Sequence, residues 1–294
     1  MYFLMISLFS FFIFAQMPVV LKTADVLAAS KASDWRRLDD ENLLYFDFSK
    51  GPVVIELNPD FAPEHVKNIK KLVGEKFWDG LAIVRVQDNY VVQWGDPNAE
   101  KPELKKKIKT AKETLKPEFD RVYSEKLSFT SLPDKDTYAA EVGFIKGFPV
   151  ARDKELQKMW LTHCYGMVGV GRNNPADSGG GAELYVVIGH APRHLDRNVT
   201  LVGRVLLGME LLSSLPRGTG PMGFYEKPEE RVGIRSIKLG SQLAKKDRLV
   251  LEALKTDSET FKLLMKARRD RKEEWFHHSA ERLEVCNMIL PVRQ

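Results

Sequence analysis

Val84-Arg85-Val86, followed by Gln93-Trp94-Gly95-Asp96, is the stretch on which the reading of this chain turns. Two apolar runs, Leu81 to Val86 and Tyr90 to Trp94, follow a turn at Phe77-Trp78-Asp79-Gly80 and are rich in residues that suit a pleated, half-buried surface. Each carries one polar side chain, Arg85 in the first and Gln93 in the second. An arginine within an apolar strand needs a partner or a task, because an unpaired buried charge is heavily penalised. An internal carboxylate would be one answer and a place in a cleft the other.

Upstream, Leu43 to Phe48 and Pro52 to Leu57 flank Gly51-Pro52 as the arms of a hairpin flank a turn. Val66, Ile69, Leu72 and Val73 then recur at helical spacing behind Pro63, which fits a first helical turn, so a helix is expected over Glu64 to Gly74. Downstream come Tyr165 to Gly171, a Gly-rich loop through Asn173 to Gly181, Leu184 to Ile188, Val199 to Leu207, a short helical piece at Met209 to Ser214, and Ile234 to Leu239. Many short strands with few helices predict a mainly β barrel or sandwich with two helices at its ends.

Two segments stand outside this pattern. Residues 98–160 form an insertion whose first part holds seven lysines between Lys101 and Lys116, a solvated surface by composition, and a short helix and a strand near Tyr138 to Ile145 are expected within it. Residues 241–294 read as a strand-helix-strand appendage. Its strands are placed at Arg248 to Leu254 and Arg282 to Met288, its helix is capped by Thr256-Asp-Ser-Glu259, and the apolar face of Phe261, Leu264 and Met265 is expected to dock on the barrel.

Tyr2 to Val20 is almost wholly apolar, which reads as an export signal or an anchor, and small residues suggest cleavage between Ala28 and Ala32. Membrane association is expected only where this segment stays attached. Two cysteines, Cys164 and Cys286, are an even number in an expected oxidising compartment and predict one disulfide, the alternative being two separately buried thiols.

Other chemistry is poorly represented. The net charge of +5 from 45 basic and 40 acidic residues is too small an excess to grip a phosphate backbone, so no nucleic-acid partner is expected. Ser178-Gly-Gly-Gly181 lacks the Lys and Ser/Thr of a phosphate loop. Pro192 between His190 and His194 argues against a helix aligning them as metal ligands, and no metal is expected. Cys164 beside His163 makes no nucleophile pair, since strand neighbours face opposite ways.

Val53 to Leu57, Ala62-Pro63, His65-Val66, Asn68-Ile69, Phe77 to Gly80, Val84 to Val86, Gln93 to Asp96, Leu195-Asp196, Gly203 to Val205 and Gly208-Met209 occur in the order and near the spacing of the cyclophilins. The chain resembles this family from Gly51 to Leu239, interrupted by the insertion, and is most similar to exported bacterial members with a C-terminal extension. The resemblance implies an eight-stranded antiparallel barrel over residues 43–240 capped by two helices, prolyl cis/trans isomerase activity on unfolded or proline-containing polypeptides, and no cofactor.

Carried over position by position, the resemblance makes Arg85 the catalytic arginine and Gln93 the glutamine beside the substrate carbonyl. Tyr90 and Val91 become a pocket wall, Gly171 and Arg172 the loop whose backbone binds the peptide, and Leu195 a pocket-floor residue. Leu184 and Val186 stand where the family usually has Gln and Phe, and His194 and Val199 where it often has Trp and His. Replacing a pocket Phe by Val removes roughly 50 to 80 Å² of apolar contact, about 1 to 2 kcal/mol. A weakly active or inactive peptide-binding module or chaperone is the alternative this implies.

Overall fold

The computed structural model of the chain describes residues 21–294, so the apolar stretch Tyr2 to Val20 lies outside them. Eight antiparallel strands close a barrel: β2 (Leu43–Phe48), β3 (Gly51–Leu57), β4 (Ala82–Val86), β5 (Val91–Gly95), β11 (Met167–Val170), β12 (Leu184–Val187), β13 (Leu201–Leu207) and β14 (Val232–Leu239). Their order is β11-β12-β5-β4-β14-β2-β3-β13, and β11 pairs with β13 to complete the circle. Period-two alternation sends Phe46, Phe48, Ile55, Ile83, Trp94, Val168, Leu184 and Val186 into one interior cluster. The helix α2 (Pro63–Gly74) buries Val66, Ile69, Leu72 and Val73 against the same cluster, and the short helix α3 (Met209–Ser213) adds Leu212.

The insertion differs from expectation, since it holds no helix. Its Lys-rich first part is a strap whose backbone amides are taken by acidic and amide side chains of the barrel unit. Asp96 accepts from Lys106 N at 2.6 Å, Glu75 from the amides of Lys109, Thr110 and Ala111, and Asn68 from Lys112 N at 2.8 Å. Those bonds hold the Glu75 carboxyl down at about 2, against its desolvation. Amides bonded outward cannot close helical turns, and clustered lysines repel one another on a helix face. The rest folds as a sheet in the order β6-β10-β9-β8-β7, built from β6 (Arg121–Val122), β7 (Thr130–Ser131), β8 (Glu141–Ile145), β9 (Phe148–Asp153) and β10 (Lys158–Leu161).

The C-terminal unit is strand-helix-strand in shape with altered boundaries. Its elements are β15 (Glu252–Leu254), α4 (Glu259–Arg269) and β16 (Val292–Arg293), while Val285–Asn287 forms a 3₁₀ turn where a strand was expected. Ser258, not Thr256, caps α4 by accepting from Phe261 N at 3.1 Å. A polar N-terminal strand that the sequence pattern hid, β1 (Trp35–Arg37), pairs with β15. The apolar face of α4 meets the insertion sheet rather than the barrel: Phe261 packs edge-on against Phe144 at 5.2 Å, within a second core shared with Val26, Trp35, Phe148 and Trp160. Each half of that core comes from a segment too small to bury its own apolar face, so the two fold on each other.

Buried charges join the second core to the barrel. Arg36 on β1 and Arg204 on β13 both bind Glu56 on β3, at 2.5 and 3.0 Å, and Arg204 stacks over Phe148 of the insertion sheet at 5.0 Å. Cys164 and Cys286 are joined as a disulfide across 122 residues of sequence. Helix α1 (Thr23–Ala28) buries Val26 in the second core, and Ser30 Oγ accepts from Trp35 Nε1 at 3.1 Å. The segment expected to carry a cleavage site is therefore built into the fold.

Candidate active site

Arg85 leaves the outer face of the barrel between β5 and the loop 216–225. Backbone bonds from Gly218 N to Val86 O and from Tyr225 N to Val84 O lay that loop along β4. Arg85 Nε donates to Met222 O at 2.7 Å, Nη1 donates to Gln93 Oε1 at 3.2 Å, and Nη2 donates to Gln87 Oε1. The guanidinium sits between the rings of Tyr90 and Phe224, at 5.5 and 5.3 Å. Its partners are thus a carbonyl, two amide oxygens and two π faces, so the internal carboxylate considered for it is not what satisfies it. Burial lowers its pKa, with Tyr90 acting in the other direction, and an arginine remains charged even so.

Gln93, buried to 8 % exposure, is held from both ends: its oxygen takes Arg85 and its Nε2 donates to Glu183 Oε2 at 2.7 Å. That second bond fixes the amide so that its oxygen faces the guanidinium. Beside it lies a small apolar cluster on the outside of the barrel, formed by Val91, Tyr185 and Val187 with Tyr90 and Val199 packed against it.

Leu184 and Val186 are not in that cluster. Tyr185 pairs with Gln93 and Leu184 with Trp94, so both aliphatic residues point into the barrel core. The expected alignment was one residue out of register, and on a strand such a slip exchanges the faces. Glu183, Tyr185 and Val187 belong on the outside. A phenol ring therefore occupies the place where a contact-losing valine was expected. Gly169 accommodates it: a Cβ there would fall 2.3 Å from Tyr185 Cζ.

The remaining expected positions divide. Tyr90, Val91 and Val199 line the apolar patch. Gly171 N donates to Glu183 O at 2.9 Å, which joins the loop to β12, and Arg172 bonds Asn173 O and Asn174 O of its own loop and Asn198 O of the segment before β13. Leu195 is half-buried in the 3₁₀ turn Arg193–Leu195, while His194 is exposed.

Behind the patch runs a buried polar chain that sequence reading missed. His163 is fully buried, with Nδ1 at 2.9 Å from Asp196 Oδ1 and Nε2 at 2.9 Å from Tyr185 Oη. A carboxylate only accepts, so Nδ1 carries the proton and Tyr185, whose own pKa burial raises, donates to Nε2. Arg193 continues the chain, binding Asp196 at 2.6 Å and Asp136 of the insertion through two bonds of 2.9 Å. The insertion thereby braces the floor of the patch.

Burial depresses the His163 pKa from its ordinary 6.5, against the opposing pull of Asp196. A base depressed in the folded state binds fewer protons folded than unfolded, so stability is complete above about pH 6.5 and is lost as pH falls below it toward the folded value. We expect the urea midpoint of the wild type to fall between pH 7.5 and 5 more steeply than that of His163→Gln. Equal slopes would show that this imidazole does not govern acid sensitivity.

A closed eight-stranded barrel carrying an arginine, a glutamine and an apolar patch on its outer face defines a cyclophilin-fold site. Residues 43–239 match the family described as cyclophilin type peptidyl-prolyl cis-trans isomerase/CLD, and the chain belongs to this family. It is 27% identical over 205 residues to a "Probable peptidyl-prolyl cis-trans isomerase" of Brucella suis, covering 68% of this chain and 82% of that protein. The Brucella abortus counterpart matches to the same extent, 27% over 205 residues. The crystal structure of cyclophilin AquaCyp293 from Hirschia baltica superposes with a TM-score of 0.71 at 29% identity, covering 88% of this chain and 92% of that one.

Proposed function

We propose that this isomerase acts on X–Pro bonds of exported, incompletely folded polypeptides, using Arg85 as its electrostatic catalyst and the Tyr90–Val91–Tyr185–Val187–Val199 patch as the seat of the proline ring. Amide resonance holds the bond behind about 18 to 20 kcal/mol. Twisting it returns a lone pair to the proline nitrogen, and a guanidinium directed there binds the twisted state better than the planar one. The observation that carries this reading is that Arg85 has no carboxylate partner among the described residues and is held in place by Gln93, Gln87 and Met222 O. Proline-limited refolding with wild type and Arg85→Ala tests it. Equal acceleration by both would remove Arg85 from the mechanism.

Export is supported by the apolar N-terminal stretch and by the disulfide, which suits an oxidising compartment. Because α1 contributes Val26 to the second core, our reading is that any processing precedes Thr23 rather than falling between Ala28 and Ala32. Mass measurement of the protein recovered from the exporting cell should give a first residue no later than Thr23, or an intact anchor. A start at Ser30 or Ser33 would contradict this.

A further inference from the structure

Glu183 opens the outer face of β12, two residues before Tyr185. Its side chain lies between two glycines: a Cβ built on Gly95 would fall 2.7 Å from Glu183 Cγ, and one on Gly171 would fall 3.0 Å from its Cβ. Only residues without side chains leave the carboxylate this room. Oε2 accepts from Gln93, while no bond to Oε1 and no ion pair is formed among the described residues. The charges that act on Glu183 are those of Glu100 and Asp96, both acidic, and together with burial they outweigh the Gln93 hydrogen bond and push its pKa up. Arg85 is bonded to the opposite end of Gln93, its oxygen.

A largely desolvated carboxylate with acidic neighbours and no cation is unfavourable in the empty protein. Two strand residues span about 7 Å. The side chain of a lysine or arginine is long enough to cross that span from the residue adjoining a proline seated at Tyr185. We propose that Glu183 is a specificity-determining residue that receives the ammonium or guanidinium of a lysine or arginine immediately preceding the proline. This rests on the reading of the Arg85 face as the isomerase site.

The test compares peptides with Lys-Pro, Nε-acetyllysine-Pro and Glu-Pro at one position, in wild type and Glu183→Gln. The substitution keeps an oxygen for Gln93 and removes only the charge. The wild type should favour Lys-Pro over acetyllysine-Pro about tenfold in kcat/KM, equivalent to about 1.4 kcal/mol, and Glu-Pro should be the poorest. In Glu183→Gln the Lys-to-acetyllysine ratio should fall to near one. A wild-type ratio near one, or a ratio that survives Glu183→Gln, overturns the proposal. So does a uniform loss on all three peptides, which would make Glu183 only a brace for Gln93. Direct titration of the same peptides should give the same ratio in Kd. A wild type that binds with this preference yet isomerises none of them would count against the isomerase reading and leave the specificity standing.

Discussion

Arg85→Ala should lower kcat/KM for proline isomerisation by about 10²- to 10³-fold, the range seen when one preorganised donor to a developing charge is removed. The fall should appear mainly in kcat, because in the proposed mechanism the guanidinium interacts with the twisted amide and little with the planar one. Arg85→Lys should recover little. A single ammonium cannot hold Met222 O, Gln87 and Gln93 together while facing a substrate, whereas the planar fork does so from fixed geometry. Thermal melts should separate this from misfolding, since the residue is half-buried outside the barrel core and its loss leaves the interior cluster intact. Peptide turnover in Arg85→Ala within twofold of wild type would show that another group carries the catalysis.

The second large effect concerns the disulfide. Replacing both Cys164 and Cys286 by serine should destabilise the protein by about 4 to 5 kcal/mol, because the bridge closes a loop of more than a hundred residues and constrains the unfolded chain accordingly. In a chain of this size that is a drop in Tm of about 10 °C or more. The bond links the segment before β11 to the stretch that packs Leu283 and Val285 into the second core, so loss should begin in the C-terminal unit. Isomerisation measured well below the new Tm should be retained, since β4, β5 and β12 are paired within the barrel. An unchanged Tm in the double variant would mean that the second core holds this segment unaided.

The barrel and the Arg85–Gln93 pair were legible because they rest on local signals. The hairpin around Gly51-Pro52, the helical spacing of Val66, Ile69, Leu72 and Val73, and two polar residues in apolar strands need no knowledge of distant contacts. What was misread depended on such contacts. The register of β12 is set by its pairing with β5, and Leu184-Tyr-Val-Val looks alike in either register. His163 acquires its role only when Asp196 and Tyr185 come to it from 33 and 22 residues away in sequence. The strap of residues 98–116 takes its path from Glu75, Asn68 and Asp96, and β1 became a strand because β15 offered it an edge. A polar segment carries no periodic signal of such a partner.

The strand order of the barrel bears on how the chain can be made. β14 is the last barrel strand in sequence, yet it lies between β2 and β4, two of the first three. Until residue 239 has left the ribosome, those two strands present open edges that nothing made earlier can cover. Closure therefore cannot keep pace with synthesis, and the covalent bond to Cys286 must come later still. This isomerase must itself wait, with its early strands unpaired, for nearly the whole of its length to be delivered.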